Sequence, residues 1–237
     1  MASSSSAAPA TLRVIAGGGI SNVLQAFIPR FEEASGERLA VTYGGTPALQ
    51  AALKSGAPFD CAVVPYQVFS DAAARARLAE APTTDIARVG VGLGVPEGAA
   101  PPDIGTPEAL KRTLLLAKSV AMVPQSANGA HILKVFERLG VAEAMKPKIR
   151  AYDDPLALAP ALARGEAEIG LYVTNLLLAP GITLVGELPA ALNTTLTFTA
   201  GLAREPENAA GARAFLAALA SPEAAALIRA KGMEPLF

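Results

Sequence analysis

Tryptophan is absent from this chain, and cysteine and histidine occur once each. A single cysteine, Cys61, excludes an intramolecular disulfide; among Ala62, Val63 and Val64 it reads as a buried strand thiol. Cys61 and the lone histidine, His131, are far apart and supply no zinc-ligand spacing. No G-x-S-x-G elbow, phosphate-loop lysine or G-x-G-x-x-G order occurs, so neither a catalytic constellation nor a cofactor is expected. Charge of one sign is missing too: 20 Lys and Arg face 21 Asp and Glu, a net charge of −1. With no basic cluster, nucleic acid and anionic membrane surfaces are excluded as partners. There is no apolar run of ~18 residues, hence no expected transmembrane helix. The opening MASSSSAAPA has neither the positive nor the apolar region of an export signal, and residues 1–10 read as a disordered segment.

What is present is a repeated pattern of strand, polar or glycine-rich turn, and helix. Leu12 to Asn22, LRVIAGGGISN, reads as a short buried strand broken by Gly17, Gly18 and Gly19, with Ser21 or Asn22 capping a helix. Glycine leaves no Cβ in the way, so such a turn can bring backbone N–H groups up to an anion. The pattern recurs at Leu39–Tyr43, Gly44-Gly45 and Thr46-Pro47, with threonine expected at the cap and proline at the first helical position. It recurs again where strand Ser119–Val123 meets PQSANGAH, a polar turn feeding a helix with buried Ile132, Leu133, Val135, Phe136 and Leu139. Each turn alone has a plainer alternative, a βα connection that holds nothing.

The rest of the chain continues the alternation. Arg88–Val95, RVGVGLGV, is strand-like with Gly90, Gly92 and Gly94 on one face, as close backbone approach or a bending crossover requires. Strands are expected at 59–64, 149–152, 167–172, 182–187 and 196–202. Helices are expected from Thr106-Pro107, from Asp154-Pro155 to Gly165, over 208–219 and from Ser221-Pro222 to Gly232. This is an α/β chain with mostly parallel sheets, in which ligands sit beyond the carboxyl ends of strands. Its 237 residues suffice for one large domain or two lobes of ~100–120.

The order of five segments resembles a known family. IAGGGISNVLQAFIPRFEEASG, VTYGGTPALQAALKSGAPFDCAVV, ERLGVAE, LARGEAEIGLYVTN and AALASPEAAALIRAKGMEP are similar to the molybdate-binding-like, type II periplasmic solute-binding proteins of ABC importers. The resemblance implies two α/β lobes joined by crossing strands with a ligand between them. It assigns 11–90 and 196–237 to lobe one and 91–195 to lobe two, with Arg88–Val95 and Leu196–Leu202 as the crossovers. It implies no enzyme but a monomeric binding protein, which clamps a small oxyanion or carboxylate and hands it to an importer permease in the periplasm. The alternative is a cytosolic sensor or enzyme of the same build acting on a small anionic metabolite, with His131 as a general base.

Residue by residue, the resemblance places Gly18, Gly19, Ser21, Gly45 and Thr46 on the lobe-one rim of the ligand site. Ser126, Asn128, Gly129 and His131 fall on the lobe-two rim, with Tyr172 and Asn175 beside the hinge. Thr46 and Ser126 have the alternative of serving only as caps, and Tyr172 of being core. Two departures stand out: Gly19 replaces a family serine, and Pro47 has no N–H. They argue against molybdate and for a larger or partly organic anion, housed in room left by the glycines.

Overall fold

The computed structural model describes residues 11–237; the expected disordered segment 1–10 lies outside them. The first third runs β1 (Leu12–Gly17), α1 (Ser21–Ser35), β2 (Leu39–Gly44), α2 (Thr46–Lys54), β3 (Cys61–Pro65), α3 (Tyr66–Phe69), α4 (Ala72–Arg75) and β4 (Thr84–Pro96). The middle follows with α5 (Pro107–Leu116), β5 (Val120–Met122), α6 (Ala127–Arg138), α7 (Ala142–Met145), β6 (Ile149–Ala151), α8 (Leu158–Ala163), β7 (Ile169–Val173), α9 (Thr174–Leu177) and β8 (Ile182–Glu187). The chain closes with β9 (Thr195–Leu202), α10 (Ala209–Leu219), α11 (Pro222–Ala230) and β10 (Glu234–Pro235). Among the described residues no single helix is long and apolar enough to cross a membrane.

Strand β4 organises the sheets. The hydrogen-bonded order is β2-β1-β3-β9-β4-β7-β5-β6, with β8 and β10 also pairing β4. Parallel pairs lie outside, β1 with β2 and β3, and β5 with β6 and β7. Antiparallel pairs lie around β9 and β4. The first part of β4, Thr84 to Gly90, pairs β9, whereas from Val91 onward it pairs β7 and β8. The glycine-studded stretch is therefore where β4 passes from one set of strands to the other. A Cβ on Gly92 would stand 2.6 Å from the Gly186 carbonyl oxygen and 2.7 Å from Thr174 Cγ2, so only glycine lets β8 and α9 lie against this face.

Helix starts follow ordinary cap chemistry. Thr106, Ser126, Asn208 and Ser221 each accept a backbone N–H three residues on, from Ala109, Gly129, Gly211 and Ala224. Each such cap contributes about 1 kcal/mol. Three starts differ from expectation. Gly45, not Thr46, is the cap of α2, and its carbonyl accepts from Leu49 N at 3.0 Å. A 3-10 turn over Gly18–Ile20 leads into α1, and neither Ser21 nor Asn22 caps it. Asp154 makes a local turn, accepting from Leu156 N at 2.9 Å, so α8 begins only at Leu158. The two-residue β10 is too short to leave a periodic signal. It is held at β4 by the bidentate Arg88–Glu234 pair, both contacts at 2.7 Å.

Three apolar clusters fill the layers. The largest joins β1, β3 and β9 to α1, α10 and α11 and extends to Tyr172, Val173 and Leu177. Within it Phe31 and Phe215 meet edge to face at 5.3 Å, with Phe27 packed against both. A second lies under α2, α3 and α4, and a third gathers Val91, Leu93 and Val95 with α5, α6 and β7. Cys61 is buried as expected, and burial pushes its thiol pKa up.

Asp60, beside β3, is fully buried and ties three segments together. It accepts from Arg13 N at 2.8 Å, Arg13 Nε at 3.3 Å and Asn208 N at 3.0 Å. Burial alone would raise its pKa, but those backbone N–H groups and the Arg13 guanidinium outweigh it and hold the carboxyl below its usual value. A depressed folded-state pKa stabilises at pH values above the unfolded one and is lost as pH falls through the folded one. Asp60→Asn should therefore lower stability at pH 7 by about 3 kcal/mol, the low end for breaking a buried pair because Arg13 is partly exposed. It should also flatten the acid limb of the stability–pH curve below ~4. Urea unfolding of both proteins between pH 3 and 7 measures this; parallel curves would reject it.

Candidate functional site

Three strand-to-helix turns converge. They follow β1 (Gly17–Ile20), β2 (Gly44–Thr46) and β5 (Val123–Ala127). With Pro155, Tyr172 at the end of β7, and Leu196 and Phe198 of β9, they enclose a cavity of about 20 Å³. That is little more than the space one water needs. Of the eleven expected ligand residues, seven line it: Gly18, Gly19, Gly45, Thr46, Ser126, Asn128 and Tyr172. A second cavity of about 400 Å³ shares Thr46, Ser126, Asn128 and Leu196 with the first and so adjoins it; His131 borders this outer chamber.

The inner cavity is neutral and rich in donors. None of its described lining residues is charged. Helices α2 and α6 both begin at it, and the first N–H groups of a helix have no partner within the helix. Pro47 removes one such group from α2. The Ser126 hydroxyl accepts from Gly129 N at 3.0 Å and has one hydrogen for two acceptors, Val123 O at 2.8 Å and Asn128 Oδ1 at 2.6 Å. With Asn128 Oδ1 so engaged, its Nδ2 is buried without a partner, as is Thr46 Oγ1. Burial, with the nearby Asp154 charge, pushes the Tyr172 pKa up, so its phenol keeps its proton and remains a potential donor.

The glycine turn does not leave the room expected of it. A Cβ on Gly19 would stand 2.8 Å from Phe198 Cζ and 3.6 Å from Val173 Cγ2, and one on Gly18 would run into Pro155. The volume that a serine side chain would take is filled by Phe198. Neither Phe198 nor Pro155 was singled out in the sequence. The signal for Phe198 was there: Leu196, Phe198 and Ala200 alternate along β9 and share a face with period two.

The other four expected residues have different placements. Asn175 donates from Nδ2 to Gly19 O at 2.9 Å and to Asn22 Oδ1 at 2.8 Å, which holds the glycine turn from behind. Asn22 answers with its own Nδ2 to Asn175 O at 3.1 Å. Ser21 is buried in the first turn of α1 and Gly129 is packed against the Val123 carbonyl; neither lines the inner cavity. His131 lies in the second turn of α6, not at its start, and its Nε2 is 2.8 Å from Leu192 O. A carbonyl only accepts, so Nε2 carries hydrogen in this contact.

Comparison with known proteins places this geometry in context. The profile of the bacterial extracellular solute-binding protein family matches residues 12–234. A Pseudomonas protein named aconitate isomerase is 30% identical over 234 residues, covering 95% of this chain and 88% of the relative. Among solved structures, the periplasmic molybdate-binding protein of Azotobacter vinelandii superposes with a TM-score of 0.78 at 18% identity, covering 94% of this chain and 98% of that one. The sulfate-binding protein of Mycobacterium tuberculosis gives 0.77 at 12% identity, over 95% and 87%. The tungstate-binding protein of Desulfovibrio alaskensis gives 0.61 at 15% identity, over 97% and 99%. At these identities the three structures show a shared fold alone.

The packing of Phe198 on the glycine turn is testable. Gly19→Ser should destabilise the fold by about 1–3 kcal/mol, the usual range for overpacking. Adding Phe198→Leu, which shortens the side chain it meets, should recover part of that loss. Thermal unfolding of the parent, the single and the double variant decides; a single variant as stable as the parent would show that the turn has the room.

Proposed function

Because the chain belongs to the family of bacterial extracellular solute-binding proteins, we propose that it closes on a small anion and delivers it to an ABC importer. In this reading residues 11–90 and 196–237 form one lobe and 91–195 the other. They meet at the inner cavity and hinge on β4 and β9. The protein acts in the periplasm as a monomer that binds and releases its solute.

One observation carries the reading: Thr46 Oγ1 and Asn128 Nδ2, on two residues that line one cavity, are buried without partners. An unsatisfied buried polar group costs about 1–3 kcal/mol, which a folded chain tolerates where a ligand completes the bonds. Two helix starts at the same point favour negative charge, and neutral donors hold an anion without a buried cation to desolvate. Structural neighbours named for molybdate, sulfate and tungstate share the fold, as do neighbours named for ferric iron, so the fold admits an anion and the lining decides for one.

The relative named aconitate isomerase favours a second reading, an enzyme on the same body that moves a proton on an unsaturated tricarboxylate. Such a shift requires a group that takes a proton from carbon and returns it. His131 is the imidazole bordering the outer chamber, and its Nδ1 is the nitrogen left free by the Nε2–Leu192 contact. Incubation with trans-aconitate in deuterium oxide, followed by proton NMR, separates the readings. The binding protein broadens the ligand signals without converting it; an isomerase yields the cis form and exchanges protons, and His131→Gln stops both.

The binding reading makes an unusual pair of demands on one residue. Thr46→Val deletes a hydroxyl that has no partner and keeps the shape. It should leave the ligand-free protein as stable as the parent or more so. It should also weaken the bound anion about ten- to hundred-fold, the worth of one hydrogen bond to a charge of ~1.5–3 kcal/mol. Calorimetry with molybdate, sulfate and trans-aconitate, alongside thermal unfolding without ligand, reads both. A variant that is less stable and binds as well as the parent would make Thr46 a structural residue.

A further inference from the structure

We infer that the solute is an elongated polycarboxylate, with an oxygen of one carboxylate taken by the neutral inner cavity and a second carboxylate by a subsite in the outer chamber built on the Lys134 ammonium with His131 beside it. This rests on the reading of the cleft as an anion site and adds a second point of recognition to it.

Size is the first argument. At about 20 Å³ the inner cavity takes roughly one oxygen-sized group and not a whole tetrahedral oxyanion. The room lies next door, in about 400 Å³, within the ~300–1,000 Å³ of ordinary small-molecule sites. The two spaces are lined in common by Asn128, which is 3% exposed and whose Nδ2 has no partner. A ligand that satisfies this group has its remaining atoms directed into the larger space.

Charge is the second. The chain as a whole is balanced, yet the described lining of the outer chamber contains Lys134 and His131 and no aspartate or glutamate. Among the described residues Lys134 makes no ion pair. An ammonium without a local counter-ion, in a concave site with no opposing acid, is available to a ligand carboxylate. Gln67, Gln125 and Thr194 add neutral donors around it.

Helix geometry is the third. Asn128, His131 and Lys134 follow one another at three-residue spacing on α6, a row that winds roughly 120° around the helix, and all three border the outer chamber. From Asn128 to Lys134 the axis rises roughly 9 Å, and the lysine stem can lean back over the gap. The row thus leads from a neutral, enclosed donor to an exposed cation. A short chain of carbons bearing carboxylates at both ends matches that order; a compact oxyanion reaches only the first.

The test uses the full chain and four probes: acetate, succinate, citrate and trans-aconitate, each titrated calorimetrically into the parent, Lys134→Glu and Asn128→Ala. The tricarboxylates should bind the parent at least about tenfold more tightly than acetate. Lys134→Glu should weaken them about tenfold or more and leave the unfolding temperature unchanged, since Lys134 is exposed. Asn128→Ala should weaken every anion that binds. If Asn128→Ala weakens binding while Lys134→Glu does not, the outer subsite falls and the anion-binding reading stands. If neither variant alters the binding of any probe, both fall; if no carboxylate probe binds, the outer subsite falls, and the anion-binding reading falls with it only if molybdate and sulfate fail to bind as well. Equal affinity for acetate and the tricarboxylates would also overturn the subsite.

Discussion

Strand β4 is shared by both sets of strands, and where it passes from one to the other, over Gly90–Gly94, one of its faces carries no side chains. Gly90, Gly92 and Gly94 lie under Glu187, Gly186 with Thr174, and Ile182 with Leu177. An alanine at Gly92 would overlap the backbone of β8, and the register that brings β7 beside β4 would be lost with it. That register sets where Tyr172 and Asn175 lie relative to the first glycine turn. The position of the cavity is thus a consequence of a close backbone approach made along a single strand.

The turn after β1 is compressed between the two sides of the molecule. Phe198 presses on Gly19, Pro155 on Gly18, and Asn175 holds the Gly19 carbonyl from the far side. Such packing fixes backbone N–H groups in place before any ligand arrives, which limits what binding must spend on ordering them. Against this rigid wall stand the unpartnered Thr46 and Asn128 groups, which destabilise the ligand-free fold. Rigidity in the turn and unsatisfied donors beside it are complementary: the donors are useful only if the fold cannot relax to bury them against itself.

Much of the architecture was legible in the chain because it rests on local rules. Period, cap and glycine stop located the principal strands and helices, and the glycine face of β4 marked the crossover stretch. The strand-to-helix rule for α/β sheets pointed to the turns as the ligand side, and it was the family resemblance that implied Gly18, Gly45, Thr46, Ser126 and Tyr172, which line one cavity. What was not legible depends on atoms distant in sequence. The threonine before Pro47 looked like a cap, and only the Leu49–Gly45 hydrogen bond shows that the cap is one residue earlier. The glycines looked like open space, and only Phe198, some 180 residues on in the sequence, shows otherwise. Asn175 was placed beside the hinge by the family resemblance, and its side-chain amide donates to Gly19 and Asn22.

These differences bear on how one body serves several solutes. A fold does not determine a ligand; the groups lining the site do. Here the three inner turns are small, neutral and tightly packed, and in the proposed reading any anion meets nearly the same donors there. Freedom to vary lies one step out, along the face of α6, where side chains point into a chamber and few packing contacts restrain them. A substitution at Lys134 alters the charge of the site without touching the core, whereas one at Gly19 must first displace an aromatic ring. Selection for a new solute therefore has a less costly route through the outer chamber than through the turns. In this chain that outer surface is cationic and free of acids, which is the chemistry that sets it apart from the neutral cavity beneath it.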